Sequence, residues 1–322
     1  MALLTTSNPI PGTALFANVT GTPQGGWDPT FDSLFVRSTN PCLNCRLRID
    51  LKVFLDKIDP NGVTDFIIRG LAGLFKVPVP AGGKLGGIND SDDVPTLLRD
   101  WRAAEWQTFV NKFTTQANMW SCKFWLLPPD DFTHFEFTHA GVRYRPNVRC
   151  EFKVHIVGGS AGAHNTVQVV NVARPNGTFR SDGGLYSVED TKPMTYNVPD
   201  STFTHKTHTQ LTVTHEIGHA IGLPHIGVTN QHLLCAAATL FEGFDPDANY
   251  TPALLQGGTD SQVCYGSMAS AGDASNIMGW GNKFAPENAQ PWLDRIPTHI
   301  NRAVNMSRWK ASMIRVAPKK VR

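Results

Sequence analysis

His215-Glu216-Ile217-Gly218-His219-Ala220-Ile221-Gly222-Leu223-Pro224-His225 is the stretch around which the rest of the chain is arranged. On an α-helix, residues four apart share a face one turn apart, so the imidazoles of His215 and His219 converge on one point. A zinc ion fits that point. Glu216 lies one residue round from His215; its carboxylate can reach a water in an open coordination position and serve as general base. Gly222 stands where a left-handed residue ends a helix, and Pro224 keeps helix from resuming, so the chain reverses and delivers His225 as third ligand. Three neutral imidazoles leave one open position, the arrangement that lowers the pKa of bound water to about 7.

Thr207 with Gln210 three residues on matches a capping box, which predicts a helix from Thr207 to Ile221. Val213, Ile217, Ala220 and Ile221 form an apolar stripe on the side away from the two histidines. By this reading one face packs and the other binds metal.

The extended H-E-x-x-H-x-x-G-x-x-H pattern fixes five positions and resembles the signature of the metzincin clan of zinc metallopeptidases, in which a methionine-containing turn lies beneath the metal. Asn276-Ile277-Met278-Gly279-Trp280 looks like that turn, with Met278 as its methionine. The resemblance implies an α+β fold: a twisted mixed sheet with a long helix and the active-site helix, then a mostly irregular C-terminal part with the methionine turn and a closing helix. It also implies that the strand around Gly184, Leu185 and Tyr186 forms the cleft edge, where a substrate peptide could pair as an added strand. An ordinary edge strand is the alternative. One departure stands out: where some metzincins carry a tyrosine two residues past the methionine, this chain has Trp280, which cannot ligate zinc. Either the site has no such donor, or another residue such as Tyr265 supplies it. Ile226, after the third histidine, leaves the family within the clan unassigned.

The 322 residues, 41% hydrophobic and 17% charged, have globular composition, and a formal charge of +2 leaves no nucleic-acid footprint. Arg308, Lys310, Arg315, Lys319, Lys320 and Arg322 gather at the end without an acid among them, which reads as a solvated basic tail over 307–322. Met1 to Gly26 has neither a basic n-region nor an apolar h-region, and no apolar run is long enough to span a bilayer. Because most metzincins work outside the cytoplasm, this pattern leads to an expected leaderless export as a toxin, with a secretion-apparatus or inhibitor/immunity partner. Six cysteines allow fifteen pairings. Cys42 and Cys45 form a lone C-x-x-C, and disulfides Cys122–Cys150 and Cys235–Cys264 are the expectation, with free buried thiols the alternative.

In chain order, residues 1–40 read as an irregular arm and 41–306 as the catalytic domain. Arg46 to Asp56 alternates as a half-buried strand with Leu47, Ile49, Leu51, Val53 and Leu55 on one face. A Gly/Pro-rich insertion follows near 57–94. Asp92 or Asp93 caps a long helix predicted over Pro95 to Asn118, with Trp106, Phe109, Phe113 and Ala117 on its apolar line. Strands are predicted at Lys123 to Leu127, Phe135 to Thr138, Arg149 to Val157, Thr166 to Ala173 and Gly183 to Tyr196. The stretch from Phe244 to Asn249 spaces oxygens as Ca²⁺ loops do, but Tyr250 and Gln256 stand where glycine and glutamate belong, favouring a polar loop. His205 and His208 read as surface residues. Pro291 to Met306 reads as the closing helix.

The chemistry implied is zinc-dependent cleavage of peptide bonds in a peptide or protein substrate. Two rivals stay open: a cell-wall peptide amidase with the same ligands, and a binding module with a structural zinc.

Overall fold

In the computed structural model, residues 10–13, 30–59, 65–69, 76–80, 84–85, 96–172, 184–199, 205–223, 275–301 and 303–321 are described. The fold is mixed α+β, with few helices and a mixed sheet. Its axis is the strand Cys45–Lys57, where Cys45, Leu47, Ile49, Leu51, Val53 and Leu55 are all buried and the residues between them are mostly not. Strict alternation of this kind gives a strand one greasy face. The expected strand is there.

That strand pairs along its whole N-terminal part with Val148–Val157, in parallel, Cys45 opposite Val148. Its other edge is shared. Thr30–Val36 lies antiparallel to the first half, Asp32 opposite Asp50, and Asn165–Val172 lies parallel to the second half, Asn165 opposite Val53. Parallel neighbours need a long crossover when they run side by side. Here Val157 ends level with Phe54 and Asn165 starts level with Val53, so the short loop Gly158 to His164 suffices. His164 splices it: its backbone N–H donates to the Lys52 carbonyl at 2.8 Å, and its Nδ1 accepts from the Lys52 N–H at 3.0 Å.

Three α-helices of the described residues contribute to one continuous apolar core with the greasy sheet face: α1 (Ala103–Ala117), α2 (Thr212–Ala220) and α3 (Gln290–Ile300). Phe109 and Phe113 come from α1, Val213 and Ile217 from α2, and Trp292 and Ile296 from α3. The opposite face carries charge instead. Asp50 accepts from Arg48 at 2.8 Å and from His155 Nε2 at 2.7 Å, and Asp32 accepts from Lys52 at 2.8 Å.

Several expectations are corrected. Residues Thr30–Val36 are no irregular arm: Phe31, Ser33 and Phe35 alternate into the core, and the strand they form completes the sheet. The long helix starts at Ala103, because Thr96–Arg99 is drawn into antiparallel pairing with Asn171 and Val172. The Gly/Pro-rich stretch contains its own hairpin, Asp65–Arg69 with Lys76–Pro80. The closing helix stops at Ile300, where Asn301 turns left-handed with φ 49°. The basic C-terminal segment is docked. Trp309 is buried, Lys310–Ser312 pairs with Trp125–Leu127, and Lys319–Val321 pairs with Val142–Arg145. Ion pairs Arg308–Asp131 at 2.6 Å and Lys319–Asp130 at 2.8 Å hold it. No helix among the described residues is long and apolar enough to cross a membrane.

Candidate functional site

The helix that carries His215 begins later than the capping-box pattern indicates. His205–Leu211 is a strand, paired antiparallel with Pro193–Pro199, and the chain passes directly from it into α2 at Thr212. Pairing along all seven strand residues outweighs a capping box at Thr207. The apolar stripe is buried as expected, but so are His215 and Glu216, at 1% and 6% exposure. This helix therefore has no wet face; only His219 is half-exposed.

Its C-terminus is built as the glycine spacing predicts. Gly222 is left-handed at φ 99°, its N–H donates to the His219 carbonyl at 2.9 Å, and the Leu223 N–H donates to the Gly218 carbonyl at 2.9 Å. This is a Schellman end. It has a consequence for the site, because it brings the Leu223 carbonyl within 2.7 Å of His219 Nδ1.

His215 is held in the same manner from another quarter. Its Nδ1 lies 2.7 Å from the carbonyl of Ile277, in the turn expected to lie beneath the metal. Asn276 shapes that turn: its Oδ1 accepts from the Met278 N–H at 2.9 Å, and its carbonyl accepts from Gly279 and Gly281 at 2.9 and 3.1 Å. A Cβ on Gly281 would run into the Ser275 backbone, so the turn closes only with glycine there. Met278 is fully buried against Gly218 of α2. A Cβ at Gly218 would overlap Met278 Sδ and approach Trp120 Cζ2 to 2.8 Å. Trp120 completes the support by donating its indole N–H to the Thr214 carbonyl at 2.8 Å.

A carbonyl oxygen at 2.7 Å requires a hydrogen on the nitrogen facing it, so both imidazoles carry their proton on Nδ1. Each Nε2 then carries a lone pair, and the two atoms lie 3.1 Å apart. Two acceptors facing each other at that distance repel unless a cation or a proton joins them. Two zinc–nitrogen bonds of about 2.0–2.1 Å at a tetrahedral angle would set the nitrogens roughly 3.3 Å apart, so the pair has the spacing of two ligands of one ion. Burial also keeps these rings neutral. It pushes His215 down to about 3, aided by the neighbouring His219 and opposed by the Ile277 bond, and His219 down to about 4, opposed by the Leu223 bond. On the helical wheel Glu216 lies about 100° round from His215 and about 60° from His219.

Among the described residues no group of three or more His, Cys, Asp or Glu is arranged to hold a metal. The expected metal-binding group is therefore not found among them: of its histidines, His215 and His219 fall within the described residues. His225 and Tyr265 lie outside the described residues, as does the 244–249 loop considered for calcium. Trp280 is buried in the core beside the turn. Gly184 accepts from the Gln168 N–H at 2.8 Å, and Leu185–Ser187 pairs in parallel with Gln168 to Val170. Leu185 and Tyr186 are both buried, and Tyr186 packs into the core edge-on to Phe113 at 5.7 Å.

The disulfide expectation is overturned where it can be read. Cys42, Cys45, Cys122 and Cys150 are free. The Cys122 N–H donates to the Cys150 carbonyl, but its Sγ sits 2.8 Å from Arg149 Nη2 while Cys150 is buried in the core. Cys235 and Cys264 lie outside the described residues. Compared with protein-family models, curated proteins and solved structures, the chain matches none. The comparisons give the expected toxin role no support, and it is set aside.

Sequence patterning did not mark Gln210, Asn276 or the carbonyls of Ile277 and Leu223 as parts of the site. Carbonyls carry no residue signature, and Gln210 had been assigned to a helix cap. The one sequence signal available was Asn two residues before Met278, a spacing that favours a side-chain turn.

Proposed function

We propose that this chain is a zinc-dependent hydrolase of peptide bonds, built on a metzincin-like version of its α+β fold. The observation that carries the reading is the pair of Nε2 atoms 3.1 Å apart, each ring with its Nδ1 proton committed to a backbone carbonyl. Oriented, neutral imidazoles with fixed tautomers are what a metal site needs from its ligands. Catalysis then follows from Glu216 and the cleft.

His215 and His219 would hold the ion, with His225, two residues past Leu223, as third ligand. A zinc ion bound there supplies Lewis acidity and an acidified water. Glu216 takes the proton from the attacking water and delivers it to the leaving amide nitrogen. Its burial, at 6% exposure, keeps bulk water from competing for that proton. The metzincin resemblance puts an extended substrate alongside Leu185–Ser187, aligned by strand addition.

The test is zinc content per chain, together with cleavage of denatured casein and of purified peptidoglycan, for wild type, Glu216→Gln and His219→Ala. Glu216→Gln is expected to keep its zinc and lose about 10²–10⁴-fold in rate. His219→Ala is expected to lose zinc and rate together. Cleavage of peptidoglycan alone would move the substrate to cell-wall peptides. A wild type without zinc would overturn the reading.

A further inference from the structure

Gln210 is nearly fully buried, at 4% exposure, in the strand that feeds α2. Buried amides are held by hydrogen bonds, and this one reaches across to the turn expected beneath the metal. Its Nε2 donates to the Gly279 carbonyl at 2.8 Å and lies 3.3 Å from His215 Nδ1. Its backbone is fixed in turn, since Gln210 stands opposite Met194 in the hairpin.

The Gly279 carbonyl belongs to the same short turn as the Ile277 carbonyl that receives the His215 proton. Asn276 closes that turn on itself and is tethered outward by Asn288, whose amide donates to Asn276 Oδ1 at 3.1 Å. Gln210 is the tie between the turn and the strand leading into the histidine helix.

We infer that Gln210 is the positioning residue of the site: by holding the Gly279 peptide it aims the Ile277 carbonyl at His215 Nδ1 and so sets the direction in which Nε2 of that ring points. The inference takes its ligand, zinc, from the function proposed above, while its geometric half stands on the apo protein. A ligand-orienting partner of this kind typically accounts for about 10–100-fold in metal affinity.

The variant is Gln210→Met, which preserves side-chain length and removes the donor. Gln210→Asn, one methylene too short to reach Gly279, serves if the first does not fold. Phe109→Leu, a core change in α1, controls for general loosening. Two measurements are made: the tautomer of His215 by long-range ¹H–¹⁵N correlation on metal-free protein, and the zinc dissociation constant by chelator competition. The expected result is a single Nδ1–H tautomer in wild type and in Phe109→Leu, with a mixed tautomer and about 10–100-fold weaker zinc binding in the Gln210 variant. A Gln210 variant that keeps the single tautomer and wild-type zinc affinity overturns the inference. If wild type binds no zinc, the functional reading fails by itself, and the tautomer comparison still decides the role of Gln210.

Discussion

At the scale of single residues, the site is governed by small groups in tight places. Gly218 admits no side chain without displacing Met278 and pressing on Trp120. Gly218→Ala is expected to destabilise the fold by about 1–3 kcal/mol through overpacking, and shortening Met278 to Val should return part of the loss. Thermal unfolding of the two single variants and the double variant measures the coupling. His299 gives a pH signature. Its Nε2 accepts from Ser33, which also receives the Arg295 Nε–H at 2.9 Å, and burial beside Arg295 pushes it down to about 4. An unfolded histidine takes its proton near 6.5, so between those values the unfolded chain binds more protons than the folded one. Stability is therefore complete above about 6.5 and falls as the pH drops towards 4. His215 and His219 act in the same direction. His299→Gln should flatten this acid limb without abolishing it, as read from urea midpoints between pH 7 and pH 4.5.

At the scale of elements, α2 shows what a pattern can and cannot say. The glycine spacing, the apolar stripe and the histidine step were all legible, because each is a local property of a helix and its end. The start of α2 was not, because strand pairing with Pro193–Pro199 reaches outside the window a capping box samples. Thr96–Arg99 was absorbed into a predicted helix for the same reason, its partner lying more than seventy residues away. The orienting carbonyls were illegible in principle, since every residue has one. The Schellman end links element to site, and Gly222→Ala tests the link. A left-handed alanine costs about 1–2 kcal/mol, and any relaxation moves the Leu223 carbonyl off His219. Lowered stability together with weaker zinc binding is expected; lowered stability with unchanged zinc affinity would show that the two are uncoupled.

At the scale of the whole molecule, the sheet depends on its late segments. Trp309 is buried against Phe132 and Phe135, with ring centroids 4.9 and 6.1 Å away, and the strand after it completes the edge at Trp125–Leu127. The charge count suggested a solvated tail because it registers lysines and overlooks one tryptophan. Trp309→Ala should cost about 3–5 kcal/mol by equilibrium unfolding, far beyond any loose tail. Thiol chemistry reports on the same packing. Cys42 is exposed, whereas Cys45, whose thiol burial pushes up to about 11, and Cys150 are buried. Native protein should alkylate Cys42 readily and spare Cys45 and Cys150 until denatured, as mapped by peptide mass spectrometry. A disulfide-linked peptide containing Cys122 or Cys150 would contradict the free thiols.

The central strand Cys45–Lys57 emerges from the ribosome roughly a hundred residues before Val148–Val157, the partner that covers one edge from Cys45 to Phe54. Until then a growing chain displays thirteen residues of alternating aliphatic strand with only Thr30–Val36 to pair against. Contacts this distant in sequence close slowly, and open strand edges invite other chains. Newly made protein thus passes through an interval in which holding chaperones have a natural target, and an early stop codon anywhere before Val157 leaves that target permanently uncovered.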